Sequence, residues 1–273
     1  MAMVETGVYA GSMFGLYHSW YKNYPQSHFH TFDDLPEWQQ MDKLGHVYSA
    51  YMMGRYGIEL WKQTGISRKK YIWLGGMLGA IHQTTIEVLD AYSSEWGWSW
   101  GDFGANVLGS GIFVAQELGW QEQRMSLKFS AHRRKYEDPT LNKRSNDLFG
   151  NSLAERLLKD YNGQTYWTSF NIHSFYPRTK LPKWLNISIG YGADGLFGGR
   201  QNFALDKNGA VIFDRRDISR VRQWYLSPDI DFSRIHSKSK LVNTVLSLLN
   251  AVKCPMPAME LSKGKLRFHA IYF

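Results

Sequence analysis

The spacing of apolar residues changes between the two halves of this 273-residue chain. In the first half, apolar residues recur every three or four positions, as they do along one face of a helix. In the second half they alternate with polar residues, which is the pattern of a strand with one buried face. The two periods together predict an α+β fold, in which an N-terminal helical bundle with short Gly-rich helices precedes a smaller antiparallel β-rich module.

The first half predicts four helices joined by short connections. Ser67 and Ser99 are suitable N-caps for two of them, because a serine hydroxyl can accept a hydrogen bond from the first turn. Gly65 suits the C-terminal end of the helix before Ser67. The helices are predicted over residues 4–20, 41–63, 68–92 and 100–129.

The second half predicts strands and one amphipathic helix. The alternating segments are residues 166–174, 185–191, 224–232 and 266–272. Asp206–Gly209 is typical of a hairpin turn. Residues 238–252 carry an apolar stripe at helical spacing, which fits either packing in the core or lying on a membrane interface. The length and amphipathicity of this helix favour the core.

The predicted elements divide the chain into modules. We expect a helical module at 1–130, a polar linker at 131–150 and a basic β-rich module at 151–273. Three stretches without formal charge, 6–21, 71–86 and 103–116, are shorter than the ~18–20 apolar residues that span a bilayer. We therefore expect buried or shallowly inserted helices.

Charge and cysteine content limit the classes of partner and cofactor. Residues 1–130 carry 9 Lys and Arg against 12 Asp and Glu, a net of −3, whereas residues 131–273 carry 23 against 12, a net of +11. The basic half suits a membrane surface, an anionic envelope lipid or envelope protein partners, and a solvated basic face is an equally good interpretation. We expect no nucleic acid, since no motif for it is present. The single cysteine, Cys254, excludes an intrachain disulfide.

Polar clusters interrupt the three apolar helices of the first half. Asp42 and His46 lie four residues apart on the first helix, so they share a face, and Glu87 and Asp102 lie on the other two. An ionised carboxylate that faces an apolar core costs several kcal/mol unless it is paired. We therefore predict that these side chains meet in one polar site.

The residue types of this site allow catalysis, ligand binding or a purely structural role. An imidazole beside a carboxylate is suited to general acid–base chemistry. The catalytic candidates are Asp42, His46, Glu87 and Asp102. The binding candidates are Lys43, Ser49, Gln83, Asp90, Trp100 and Asn106. We expect no cofactor, with one alternative, a divalent metal held by His46, Glu87 and Asp102. A network that only fixes the register of the bundle is the structural interpretation.

The order of these residues resembles a known family. Asp42-Lys43-x-x-His46, then a Gly-rich helix with Glu87, then Ser99-Trp100-Gly101-Asp102-x-x-x-Asn106-x-x-Gly109, is similar to the YfiM-like family of predicted periplasmic lipoproteins, a domain of unknown function. The order D-K-x-x-H, acid, D-x-x-x-N-x-x-G is also similar to VanZ-like membrane proteins. The resemblance covers residues 41–110, and residues 160–167 and 191–193 look like the longer envelope-associated members. It implies an exported, envelope-located protein without an established reaction.

The resemblance and the residues together predict a cell-envelope protein. We expect it in the periplasm or at the periplasmic face of the outer membrane, membrane-associated, with a polar site that binds or processes a lipid or cell-wall-related ligand. The alternatives are a non-enzymatic scaffold or assembly subunit of the outer envelope and a metal-dependent hydrolase. The sequence lacks a lipobox cysteine near its start and an export signal. The predicted location therefore assumes that the export signal has been removed.

Overall fold

The computed structural model describes residues 7, 10, 11, 13, 14, 17 and 25–273. Most of the helix predicted over residues 4–20 lies outside the described residues. The α+β prediction is confirmed, since helices are followed by an antiparallel sheet of six strands. The chain divides into two compact units: a helical unit of Met1–Leu35 and Lys43–Gln123, and a sheet unit of Pro36–Asp42 and Arg124–Phe273.

The helical unit has shorter helices than the sequence predicts. The segment predicted as one helix over 68–92 is divided at Met77, after Gly75 and Gly76, which are weak helix formers. The helix predicted over 100–129 ends at Gly119. The helices are α1 (Met41–Lys62), α2 (Arg68–Gly76), α3 (Leu78–Ala91) and α4 (Trp100–Gly119).

Small residues bring these helices close together. A Cβ atom on Gly79 of α3 would collide with the Ala50 carbonyl of α1, and one on Gly109 of α4 would collide with the Val47 carbonyl of α1. Ser110 of α4 accepts a hydrogen bond from the Ala80 amide at 2.9 Å. That amide lies in the first turn of α3, where no carbonyl of its own helix is available. The close packing therefore places the polar faces of α1, α3 and α4 within reach of one another.

The sheet unit contains eight strands in two sheets. The strands are β1 (Met125–Ala131), β2 (Gln164–Asn171), β3 (Leu185–Asp194), β4 (Phe203–Leu205), β5 (Val211–Asp214), β6 (Val221–Ile230), β7 (Met256–Ser262) and β8 (Lys265–Tyr272). The large sheet has the order β1-β2-β3-β6-β7-β8 with antiparallel neighbours throughout, and β4 and β5 form a separate hairpin. The predicted turn at Asp206–Gly209 joins that hairpin, where the Asp206 amide donates to the Ala210 carbonyl at 2.8 Å.

Several predicted boundaries differ from the structure. Residues 125–129, predicted as the end of a helix, form part of β1, which pairs with β2. Residues 131–150, predicted as a linker, contain a helix of eleven residues capped by Asp138. The helices of the sheet unit are α5 (Pro139–Phe149), α6 (Leu153–Lys159), α7 (Ile172–Phe175) and α8 (Lys240–Leu249). Short 3-10 helices cover Glu37–Gln40, Tyr161–Gly163 and Phe232–Arg234.

The large sheet buries its polar face and exposes its apolar face. Ser169, Asn186 and Asp229 are buried on one face together with Trp167 and Tyr225, whereas Ile187 and Leu226 on the other face are exposed. The apolar residues of the amphipathic helix α8 are also outside the core, because none of the residues of this helix is buried. Core packing of this helix, which the sequence favoured, is therefore wrong. Among the described residues, helices of sufficient length and apolarity to cross a membrane are not found.

Candidate functional site

Three helices of the helical unit meet at His46. This residue lies in the second turn of α1, and its Nδ1 atom is 2.9 Å from the Asn106 Oδ1 atom of α4. The same nitrogen is 3.8 Å from Glu87 Oε1 of α3, and the Nε2 atom is 3.6 Å from Asp102 Oδ1 of α4. The carboxylates and the amide are buried, whereas 19% of the His46 side chain is exposed. We call these four residues, with Lys43 and Asp34, the polar centre.

Lys43 is clamped between two carboxylates of the polar centre. Its ammonium group lies 2.7 Å from Asp34 Oδ2 and 2.7 Å from Asp102 Oδ1. Ser99 extends the cluster, since its hydroxyl donates to Asp34 Oδ1 at 2.6 Å and accepts from the Asp102 amide at 3.0 Å. The second bond is the predicted N-cap of α4. The helix cap and the polar centre are therefore parts of one hydrogen-bond network.

The pKa of Asp34 lies below its ordinary value. Burial alone would raise the pKa, but hydrogen bonds with the Asp102, Lys43 and Ser99 side chains outweigh it, together with the positive charge of Lys43. Asp34 is accordingly ionised at neutral pH and balances Lys43. Sequence reasoning missed this residue, although two consecutive aspartates, Asp33 and Asp34, precede the helix that carries Lys43.

The other candidates from the sequence lie in more varied places. Asp42, one turn before His46 on α1, accepts a hydrogen bond from the Tyr161 hydroxyl at 2.9 Å. Gln83 is buried one turn before Glu87, and Ser49 and Asp90 are half-buried. Trp100 is 68% exposed, with its ring against Trp98 and Phe103. The catalytic role predicted for Asp42 stays a prediction. The binding roles predicted for Gln83, Ser49, Asp90 and Trp100 stay predictions as well.

A metal ion fits the polar centre poorly. Asp42, His46 and Asp102 offer ligand atoms that all lie within 4.8 Å of one another. Glu87, however, faces Nδ1 of the imidazole, whereas Asp102 faces Nε2, so both carboxylates cannot join one ion through the same ring nitrogen. The Lys43 ammonium already lies 2.7 Å from Asp102 Oδ1. An ion beside His46 would have to compete with that lysine for the carboxylate.

The hydrogen bonds around His46 are suited to proton transfer. If Nδ1–H donates to Asn106 Oδ1, the Nε2 atom carries the lone pair and faces Asp102. A carboxylate in that position stabilises the imidazolium that forms when Nε2 takes a proton. Because His46 is partly exposed, a ligand can reach it without opening the helices. The hydrogen bond to Asn106 therefore fixes the orientation of a partly exposed imidazole.

Comparisons with known proteins bear on the same segment. Residues 32–116 match a family described as predicted periplasmic lipoprotein (DUF2279), and this match covers less than a third of the chain. No curated protein and no solved structure matches the chain. The YfiM-like and VanZ-like likenesses stay predictions. The matched segment contains all six residues of the polar centre. It is similar to predicted periplasmic lipoproteins of unknown function. At the level of this family description, the expected periplasmic location is confirmed.

Proposed function

We propose that the protein is a cell-envelope protein that associates with a phospholipid membrane through the apolar face of its large sheet. One observation carries this proposal, namely the inverted burial of the sheet. We call the exposed face the outer face. Its large apolar side chains, 42% to 72% exposed, are Ile187 and Ile189 of β3, Trp224 and Leu226 of β6, Met259 and Leu261 of β7, and Leu266 and Phe268 of β8.

The apolar residues of the outer face form continuous rows across the strands. Ile189 pairs with Leu226, Leu226 with Met259, and Met259 with Phe268. A second row runs parallel to it, from Tyr191 through Trp224 and Leu261 to Leu266. Soluble monomers seldom expose contiguous apolar patches larger than a few hundred Å². Continuous rows of this kind favour a hydrocarbon environment over water.

The opposite face of the sheet carries a buried network of polar and charged side chains. Asp229 accepts hydrogen bonds there from Ser169 at 2.7 Å and pairs with Lys128 at 2.8 Å. Asn186 donates to Ser169 at 2.8 Å, so the network continues to β3. If the sheet exposed this face instead, the charged hydrogen bonds between these side chains would be broken. The polar network therefore keeps the apolar residues on the exposed face.

Charge at the margin of the outer face favours anionic lipid as the occupant. Arg222 is exposed two residues before Trp224 on the same face of β6. Its side chain donates to the Tyr191 hydroxyl at 3.1 Å. Aromatic and cationic residues beside an apolar band are typical of the level of lipid headgroups. Lys238 and Lys240, at the start of the exposed helix α8, are further exposed cations of the sheet unit.

Vesicle flotation tests the membrane proposal. We expect the protein to bind phosphatidylglycerol vesicles more than phosphatidylcholine vesicles, and less as salt rises, because ions screen surface attraction within ~10 Å at ~0.1 M. Leu226→Ser with Met259→Ser should reduce the bound fraction severalfold. The matched control is Leu153→Ser with Leu158→Ser on α6, where both leucines are exposed outside the sheet. Equal binding to both vesicles, or loss of binding in the control alone, would overturn the proposal.

A second proposal concerns the polar centre, for which we infer a role in binding or processing a lipid or cell-wall-related ligand. Its support is the partly exposed imidazole held between Asn106 and Asp102. The rival functions are a scaffold, in which the network only stabilises the helices, and a metal-dependent hydrolase. If the polar centre is a scaffold, substitutions in it should lower the stability of the protein. If it is a ligand site, substitutions should impair function and leave the stability unchanged.

A double substitution, Asp102→Asn with His46→Gln, separates these functions. Both changes keep hydrogen-bonding capacity but remove the carboxylate charge and the imidazole. Loss of an envelope phenotype with an unchanged melting curve would support ligand handling, since acid–base groups contribute ~10²–10⁴-fold each to a rate. A large loss of thermal stability would support the scaffold. The matched control is Glu59→Gln, an exposed carboxylate on α1 that pairs with Lys62 at 2.7 Å.

A further inference from the structure

A basic pocket lies in the sheet unit, and its lining shares no residue with the outer face. Its volume is about 300 Å³, and it is enclosed by the segment after β1 and by helices α5 and α6. Four of its lining residues are cationic and none is acidic. The lining residues used below are Arg133, Arg134, Lys135, Asn142, Asn146 and Arg156.

Arg156 forms a fixed wall of this pocket. It is only 2% exposed, and one guanidinium nitrogen lies 2.8 Å from Asp160 Oδ2 and donates to the Arg134 carbonyl at 3.2 Å. The other terminal nitrogen donates to Asn146 Oδ1 at 3.3 Å. Its Nε atom is buried and has no hydrogen-bond partner among the described residues. A buried guanidinium donor without an acceptor is a feature that a bound anion would satisfy.

The positive charge of the pocket exceeds the nearby negative charge. Arg134 pairs with Asp194 at 2.7 Å, and Arg156 pairs with Asp160. Arg133 and Lys135 are exposed, and no ion pair is described for either within residues 25–273. Burial raises the pKa of Asp160, although the Asn162 hydrogen bonds and Arg156 oppose it. Among the described residues, two cations of the pocket therefore have no carboxylate partner.

We propose that this pocket binds an oxyanion of the phosphate class, either free phosphate or the phosphate of a lipid headgroup. Guanidinium groups present several donors in a plane, which suits the oxygens of a tetrahedral anion. Asn142 braces the site, because its Oδ1 accepts from the Tyr136 amide at 2.9 Å and its Nδ2 donates to the Tyr136 carbonyl. The segment that carries Arg133 to Lys135 is thereby held against α5.

Calorimetric titration with inorganic phosphate at constant ionic strength tests the pocket. We expect saturable binding that chloride does not reproduce. Arg133→Gln with Lys135→Gln should raise the Kd about tenfold, because it removes two exposed cations without disturbing a buried pair. The matched control is Arg178→Gln with Lys180→Gln, an exposed basic pair of the same spacing in the same unit, and it should leave the Kd unchanged. Equal affinities for phosphate and chloride, or equal effects of the two double variants, would overturn the proposal.

Vesicles containing phosphatidic acid distinguish the two sources of phosphate. If the pocket takes a lipid headgroup, inorganic phosphate should compete with these vesicles, and the Arg133/Lys135 variant should bind them less than the control does. If phosphate binds but neither effect occurs, the pocket takes free phosphate. The Leu226/Met259 variant should keep its phosphate affinity in both cases. A failure of the membrane proposal can therefore be distinguished from a failure of the phosphate proposal.

Discussion

The sheet unit and the helical unit each bury a charged cluster, but one cluster is closed and the other is open. In the sheet unit, Lys128, Asp229 and Lys253 have side chains that are 0% exposed. Lys128 also donates to the Ile230 carbonyl at 2.6 Å, and Lys253 donates to the Pro228 carbonyl at 2.9 Å. Their donors and acceptors are directed at groups of the protein itself, which is the pattern of a structural network.

The polar centre of the helical unit differs in access. His46 is partly exposed, and its Nε2 atom is 3.6 Å from Asp102, beyond ordinary hydrogen-bond distance. Lys43 and Asp34 are also slightly open to solvent. A cluster whose imidazole is still reachable can accept a ligand without rearrangement. The two clusters therefore differ in how far solvent reaches their charged groups.

Asp229→Asn should have the largest effect on stability. It leaves Lys128 and Lys253 without their shared carboxylate, and breaking a buried pair costs about 3–5 kcal/mol. Chemical denaturation followed by circular dichroism measures the free energy of unfolding. Asp217→Asn, which removes an exposed partner of Arg215, is the control and should leave that free energy nearly unchanged. A small effect at Asp229 would remove the distinction between the two clusters.

Gly109→Ala should have the next largest effect, because it tests the packing that assembles the polar centre. The added methyl group would collide with the Val47 carbonyl, and overpacking of this kind costs about 1–3 kcal/mol. Gly104→Ala on the same helix meets no atom within 4 Å. It should be neutral or stabilising by about 0.5–1 kcal/mol, since alanine is the better helix former. Thermal melts of both variants give the comparison, and equal effects would contradict close contact between α1 and α4.

His46→Gln should cost less than about 1 kcal/mol, because glutamine can keep a hydrogen bond to Asn106 and the position is partly exposed. The measurement is the same denaturation experiment as for Asp229→Asn. A cost as large as that of Asp229→Asn would show that the polar centre is as closed as the cluster in the sheet unit. A small loss of unfolding free energy would strengthen the contrast between the polar centre and the closed cluster of the sheet unit.

The smallest predicted effect is a pH dependence from Asp34. Because its pKa is lowered in the folded state, the ionised carboxylate contributes stability above its unfolded pKa, and this contribution is lost as pH falls through the folded pKa. Melting temperatures from about pH 5 to about pH 2 should therefore fall less steeply for Asp34→Asn than for the unchanged protein. Parallel slopes for the two proteins would contradict the hydrogen bonds assigned to Asp34.

Sequence periodicity determined the fold class because it reports how each element repeats. Alternation located β2, β3, β6 and β8, and Ser67 and Ser99 marked the starts of two helices. The Ser99 side chain forms the predicted cap hydrogen bond, whereas the Ser67 side chain forms no cap hydrogen bond. The strand β7 was not predicted, and it contains Pro257, a residue that cannot donate a hydrogen bond to a neighbouring strand. The structure accommodates it at a register shift between Met256 and Ala258. The predicted helix end at 125–129 was wrong because pairing with β2 decides the conformation there.

For the site, residue spacing identified His46, Glu87, Asp102, Asn106 and Lys43, because one helix face presents residues three or four positions apart. Only the tertiary structure added Asp34, which lies outside the regular helices and meets Lys43 through the fold. Only the structure decided which face of each strand is buried, since alternation has the same period in either orientation. Periodicity is a local property of the chain, whereas burial depends on what the fold places against each face.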